Sequence, residues 1–309
     1  MQKASLSHRS IVMITAICLV FSCAVATSAF AEASYKIGVL AKNGPVKAMK
    51  QWKATGDYLT AKLPGKSFEI VPLDFDAVNP AIEAGKVDFF LVNSSMFVTA
   101  QVRYGAKAVA TMINSRQGQP LNAFGGVIFT LVDNDAIDSM ADLRGKSFMA
   151  VKASSFGGWQ MAYKELKNAG IDPNKDFTKL EFGGKHDNVV YAVMNGAVDA
   201  GTVRTDTLER MSASGEIDME EFKIINTQAH ADFPFVCSTT LYPEWPLAKT
   251  AHTDDTVAAE VVSALKAMGR DDPAAKAAKV IGWVDALDYG PVQQLQETLK
   301  VGAYQLAQN

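Results

Sequence analysis

Cysteine is scarce in this chain: three in 309 residues, and two of them, Cys18 and Cys23, lie in the apolar run near the N-terminus. Beyond that run only Cys237 is left, which excludes an internal disulfide; a chain this long buries enough core to need none. Its apolar "PFVCST" setting reads as a buried structural thiol rather than a nucleophile. Histidine is equally sparse. Past His8 there are only His186, His230 and His252, and no two stand at metal-ligand spacing. Asp133, Asp135 and Asp138 do not fit a calcium loop and read as a solvated turn. There is no G-x-S-x-G elbow and no P-loop. These absences point away from an enzyme and from any cofactor or metal. A surplus of positive charge is missing too: 30 basic residues face 33 acidic ones. That argues against nucleic acid as a partner, though a local cluster of cations can still hold a small anion.

The chain does have an N-terminal export signal. Lys3 and Arg9 precede the run "IVMITAICLVFSCAVA", and "SAFA" ends on the small pair Ala29 and Ala31. This predicts a secretory signal over residues 1–31, cleaved after Ala31, and a periplasmic location. A membrane anchor is disfavoured because the run is short and broken by Ser and Cys. A lipoprotein site at Cys23 is disfavoured because bulky Phe21 stands two places before it. Removing the signal leaves 278 residues, 28 basic and 33 acidic. Nothing after residue 31 approaches a membrane span.

Strand and helix patterns then alternate. "YKIGVLA" and "FEIVPLD" read as strands around the helical "VKAMKQWKATGDYLTAKL", whose Met49, Trp52, Tyr58 and Leu59 point to one buried side. The alternation predicts α/β lobes, each a mostly parallel sheet with helices on both faces. "AIEAGKVDFFLVNSS" and "AVMNGAVDAGTVRTD" share a plan of helix, Gly, Val-Asp, strand, polar turn and helix. Extended stretches near 119–130 and 233–241 read as chain crossings, and everything after "YPEWP" reads as helical. Two crossings return the C-terminal helices to the first lobe and leave a cleft between strand ends. The expected lobes are 32–122 with 239–309, and 123–238.

The stretches "VDFFLVNSS", "SSFGG", "GGKHDNVVYAVMNGAVDAGTVRTDTLE" and "GWVDALDYGPVQQL" carry a family likeness. Over nearly all of the secreted part, the chain resembles the phosphate/phosphite/phosphonate-type periplasmic solute-binding proteins of ABC importers. Through "VRTDTLERM" and "STTLYPEWPLA" it is similar to members that serve as sensory input domains, including those of tetrathionate-type sensor kinases. The resemblance implies a bilobal type II binding-protein fold, two βα lobes joined by two crossover strands, with an anion in the cleft. It puts Ser155 on a ligand-binding hydroxyl, His186 on a ligand-proximal histidine, and Asn93, Ser94 and Ser95 near the first-lobe contact turn. The chain departs from the phosphonate binders in three places. Val92 or Asn93 replaces a tyrosine, Ser155-Phe156-Gly157 replaces Ser-Thr-Ser, and Arg204 replaces an uncharged amide.

Each candidate has a competing assignment. Ser154, Ser155, Gly157 and Gly158 open a helix, where unpaired N–H groups and the helix dipole favour an oxyanion. The alternative is that Ser155 only caps the helix. Asn93, Ser94 and Ser95 face the same two readings. Arg204, beside Thr205, ends a strand, where its guanidinium could fork onto an oxyanion. Its alternative is a salt bridge to Asp206 or Glu209. His186 either donates to the anion or caps its own helix. Lys42 follows the first strand at the cleft edge, and Trp159 and Phe156 are walls or core. Phe124 and Arg116 lie near the first crossing. The expected protein is a monomeric clamp that gives a small oxyanion to an ABC permease; the alternative is a clamp reporting to a membrane sensor kinase. No transmembrane or kinase segment follows, so sensing would pass through a separate protein.

Overall fold

The computed structural model describes residues 33–305. The signal segment and its cleavage after Ala31 lie outside the described residues. In chain order the strands are β1 (Ala33–Leu40), β2 (Lys66–Leu73), β3 (Phe89–Leu91), β4 (Lys107–Arg116), β5 (Gln119–Leu121), β6 (Ala123–Phe124) and β7 (Gly126–Leu131). They continue with β8 (Ser147–Ala150), β9 (Lys179–Phe182), β10 (Ala200–Arg204), β11 (Phe222–Ile225), β12 (Tyr242–Pro243), β13 (Pro246–Lys249) and β14 (Val280–Asp285).

Two sheets carry the two lobes. The first runs β14-β4-β13-β3-β1-β2, with β5 on β4; the second runs β11-β7-β10-β8-β9. The mostly parallel sheets expected from the alternation are mixed. β2, β1 and β3 are parallel, as are β9, β8 and β10. The strand that enters each lobe from the other is antiparallel to both neighbours: β13 between β3 and β4, and β7 between β10 and β11. A chain arriving from outside the βα repeat has no crossover helix to turn it round, so it inserts against the prevailing direction. The C-terminal part is also not all helical, because β13 and β14 join the first sheet there.

Between the sheets the two crossings pair with each other, Phe124 opposite Tyr242 and Ala123 opposite Pro243. Phe124 and Tyr242 both pack on Phe156, with ring centroids at 6.0 and 5.0 Å. One apolar cluster fills the first lobe and extends through these three rings to Met161. Helices Asp255–Lys266 and Gly290–Leu299 bury Val261, Leu265, Val292 and Leu295 in it; the first packs on the first sheet and the second on helix Ser94–Tyr104. Two smaller clusters fill the second lobe. Helix Pro45–Lys62 starts with proline at its first turn, where the missing N–H costs nothing. It buries Trp52 and Leu59 and half-buries Met49 and Tyr58.

The rhyme between the halves has a physical basis. In each half a helix ends at a left-handed glycine, Gly85 (φ 61°) or Gly196 (φ 67°). A buried valine follows, then an aspartate that accepts a neighbouring strand's N–H. Asp88 takes Lys36 N at 2.7 Å, and Asp199 takes Ser147 N at 2.7 Å. The Val-Asp pair thereby anchors β3 to β1 and β10 to β8.

Candidate functional site

The opening of the second lobe's first helix is a π-helical turn, Phe156–Gln160, leading into the α-helix Met161–Asn168. Ser155 stands at its cap position, is 4% exposed, and its side chain caps nothing. The simple capping assignment for Ser155 is therefore excluded, and its hydroxyl lines the interlobe cavity. The two glycines answer to packing. A Cβ on Gly157 would sit 2.8 Å from the Phe124 ring, and one on Gly158 would collide with Val151. Gly157 borders the cavity, whereas Gly158 serves the helix's close seat on the sheet. Ser154 contributes its carbonyl, which accepts from Asn93 Nδ2 at 3.2 Å.

On the first-lobe side Asn93 does two things. Its Oδ1 accepts from Met96 N at 2.9 Å and caps helix Ser94–Tyr104, while its Nδ2 makes that bond to the second lobe. Ser94 and Ser95 turn away from the cavity. Ser94 donates to the Pro243 carbonyl at 2.6 Å, and Ser95 bonds Gln160 and Gln296. Thr205 is likewise internal, with its hydroxyl accepting from Gly125 N at 3.2 Å and holding the start of the crossing. Asn93, Ser155, Gly157, His186, Arg204 and Lys42 are brought together around one partly open cavity. Ser94, Ser95, Gly158, Ser154 and Thr205 support its frame.

Arg204 is not open to a ligand in the way its strand-end position suggested. Its fork is filled by Glu244, at 2.7 Å from Nη2 and 3.1 Å from Nη1. Its guanidinium lies 4.1 Å from the centroid of Phe124, and its Nε is 3.5 Å from Asp206 Oδ1. Asp206, in the left-handed region at φ 70°, also pairs with Arg116 at 3.2 Å. The result is an alternating chain, Arg116–Asp206–Arg204–Glu244, that links the first sheet, the second sheet and the return crossing. Glu244 is fully buried. Burial pushes its carboxyl up, but the charge and fork of Arg204, with help from Arg116 and Asn114, hold it below the usual range.

His186 begins helix His186–Met194, and its Nδ1 accepts the Arg204 backbone N–H at 3.2 Å. Burial, then the nearby Lys42, Arg204 and Arg116 charges, push its pKa well below the ordinary value. The ring is therefore neutral with its proton on Nε2, a donor suited to an oxyanion. Lys42 lies over the Trp245 ring at 5.2 Å. Burial, then Arg116 and Arg204, lower it to about 7. It belongs to none of the ion pairs among the described residues.

Sequence reasoning missed Glu244, Trp245 and Asn114, and assigned Arg116 no role. One signal was available: "LYPEWPLA" sets a single carboxylate in an apolar, proline-flanked crossing. Such a glutamate is almost never fully buried without a partner, and Arg204 was the unmatched cation.

A family model described as "ABC transporter, phosphonate, periplasmic substrate-binding protein" matches residues 37–289. The chain belongs to this family. Such proteins are periplasmic and serve ABC permeases. A relative outside the importers is the tetrathionate sensor histidine kinase TtrS of Salmonella typhimurium, 33% identical over 233 residues. That match takes in 75% of this chain but only 39% of the relative. Among solved structures, the binding-protein component of a Pseudomonas aeruginosa ABC phosphonate transporter superposes with TM-score 0.69 at 16% identity, covering 86% of each chain. PhnD1 of Prochlorococcus marinus, in complex with methylphosphonate, gives 0.68 at 16% identity, covering 87% of this chain and 99% of its own. At such identities these two show the fold, a bilobal type II binding protein.

Proposed function

We propose that this family member captures a small oxyanion in the cleft between its lobes and presents the loaded clamp to an ABC permease. The observation that carries the reading is a set of polar groups left without internal work at one buried place. Among the described residues Ser155 caps nothing, the neutral His186 has no partner for its Nε2–H, and Lys42 has no carboxylate in an ion pair with it. Protein interiors seldom leave donors idle, and an oxyanion satisfies all three. Asn93, which bonds across the cleft, couples lobe closure to the site. Arg204 acts as a positioning residue, orienting His186 through its N–H and anchoring Glu244 through its fork. The lobes are 32–122 with 239–309, and 123–238, moving about the β6–β12 pair. The chain acts as a monomer, without catalysis, after cleavage at Ala31.

Thermal-shift screening against phosphate, phosphite, phosphonates, sulfonates, thiosulfate and tetrathionate tests this. A true ligand raises the melting temperature with concentration. If only uncharged solutes shift it, the oxyanion reading is wrong. The kinship with a sensor kinase supports a second reading, in which the clamp reports to a membrane sensor kinase. Deleting the gene separates them: lost uptake of the ligand supports import, and a lost transcriptional response with intact uptake supports sensing.

A further inference from the structure

The cavity at Ser155 and His186 adjoins a second space on the first-lobe side. It is a partly open pocket against the start of helix Pro45–Lys62. The two spaces meet at Leu40, Lys42 and Trp245, which line both. Trp52, Met112 and Trp245 give this side chamber indole and thioether surface, Lys47 and Arg116 give it charge, and three amide side chains complete its wall. Arg116 also keeps a buried Nε–H that has no hydrogen-bond partner among the described residues.

A compact tetrahedral oxyanion is held by short polar bonds and gains nothing from indole and thioether walls. Those walls suit a polarisable or apolar segment of a longer ligand. The charge balance agrees. Lys42 lines both spaces, Lys47 and Arg116 line the second, and Arg204 lines the first. Asp206 and Glu244 are paired with Arg116 and Arg204, and Glu216 lies within electrostatic reach of Lys47. The cations are therefore spread along the two spaces rather than gathered at one point.

We infer that the site takes an elongated dianion: one anionic end at Ser155 and His186, a polarisable or apolar middle past Lys42 and Trp245, and the other end at Lys47 and Arg116. The inference rests on the anion-clamp reading of the cleft and narrows its ligand class.

Calorimetric titration of the purified chain with four probes tests it. Sulfate and methylphosphonate are compact; tetrathionate and phosphonopropionate carry two separated charged ends. An elongated probe should bind at least about tenfold tighter than its compact counterpart, a gap of about 1.4 kcal/mol. Lys47→Glu reverses the charge at the chamber's exposed mouth, and Ala48→Leu fills the chamber from the helix; each should bring that ratio towards one. Lys47 is exposed, so its variant keeps the test alive if the Ala48 variant does not fold. Equal affinity for long and short probes in the natural chain, or an advantage that survives both variants, overturns the second subsite and leaves the clamp standing. If none of the four probes binds, the clamp reading fails and this inference fails with it.

Discussion

Arg204 and Lys42 bring positive charge to the same cleft under opposite arrangements. Arg204 has its fork in Glu244, its face on Phe124 and Asp206 beside its Nε. Lys42 has an aromatic face and two guanidinium neighbours but, among the described residues, no carboxylate in an ion pair with it. The first arrangement builds the hinge-side wall of the cleft. The second leaves a cation whose charge depends on what enters. The contrast separates charge that holds the protein together from charge kept in reserve for a ligand, and each side of it can be broken independently.

The largest effect is expected from Glu244→Ala. It leaves Arg204 buried without its partner, which typically costs about 3–5 kcal/mol. Urea denaturation should show that loss, and Arg204→Ala should show one of similar size because it strands Glu244. A double replacement, Arg204→Met with Glu244→Leu, should recover most of the stability, since it removes both charges rather than one. If Arg204→Ala leaves stability untouched but abolishes binding, Arg204 is a ligand residue and the contrast collapses.

Lys42→Met should do the reverse, weakening anion affinity roughly tenfold or more with little loss of stability. The pH dependence gives the sign. The unfolded chain keeps the lysine proton to about pH 10, while the ligand-free fold releases it near 7. Between those values the unfolded state binds more protons, so this residue makes ligand-free stability rise with pH across that window. Anion affinity moves the other way. It is greatest below about pH 7 and falls as Lys42 loses its charge among Arg116, Arg204, His186, Asp206 and Glu244. With tetrathionate or sulfate, fully ionised throughout, the slope belongs to the protein. Calorimetry from pH 6 to 9 should show it in the natural chain and a flatter profile in Lys42→Met.

The βα repeats were legible because each half spells out its own turn: a glycine that needs positive φ, a valine to bury and an aspartate to bind the next strand's N–H. The direction of the entering strands β7 and β13 was not, because direction in a sheet is set by where the chain comes from, and local pattern carries no record of that. β14 was lost for a related reason. "VIGWVD" is a short edge strand following a helix, and its Gly282 blurs the alternation. At the site, Ser155 and His186 were found through the family likeness and Lys42 through its place after β1. Glu244 showed only as a lone carboxylate in an apolar crossing, and its pairing was not legible because its partner lies forty residues away in sequence and on another element. Buried ion pairs are properties of the assembled fold, and one member alone looks like any surface charge.

Ser155 against its neighbours Ser94 and Ser95 gives the finest test of the same contrast. All three hydroxyls are buried at helix starts beside the cleft. Those of Ser94 and Ser95 are committed to Pro243 and to the Gln160–Gln296 network, and removing either leaves a buried acceptor or amide short of a partner. The hydroxyl of Ser155 has no hydrogen-bond partner among the described residues. Ser155→Ala should therefore leave the melting temperature nearly unchanged and weaken anion binding by about 0.5–1.5 kcal/mol, a factor of about two to twelve. Ser95→Ala should destabilise by about 1–3 kcal/mol, the cost of stranding a buried polar group, with affinity altered only through the frame. Paired thermal melts and calorimetric titrations on the two variants read both axes. An equal stability loss in both would mean that Ser155 has an internal partner after all, and would remove the hydroxyl that most directly marks where the anion sits.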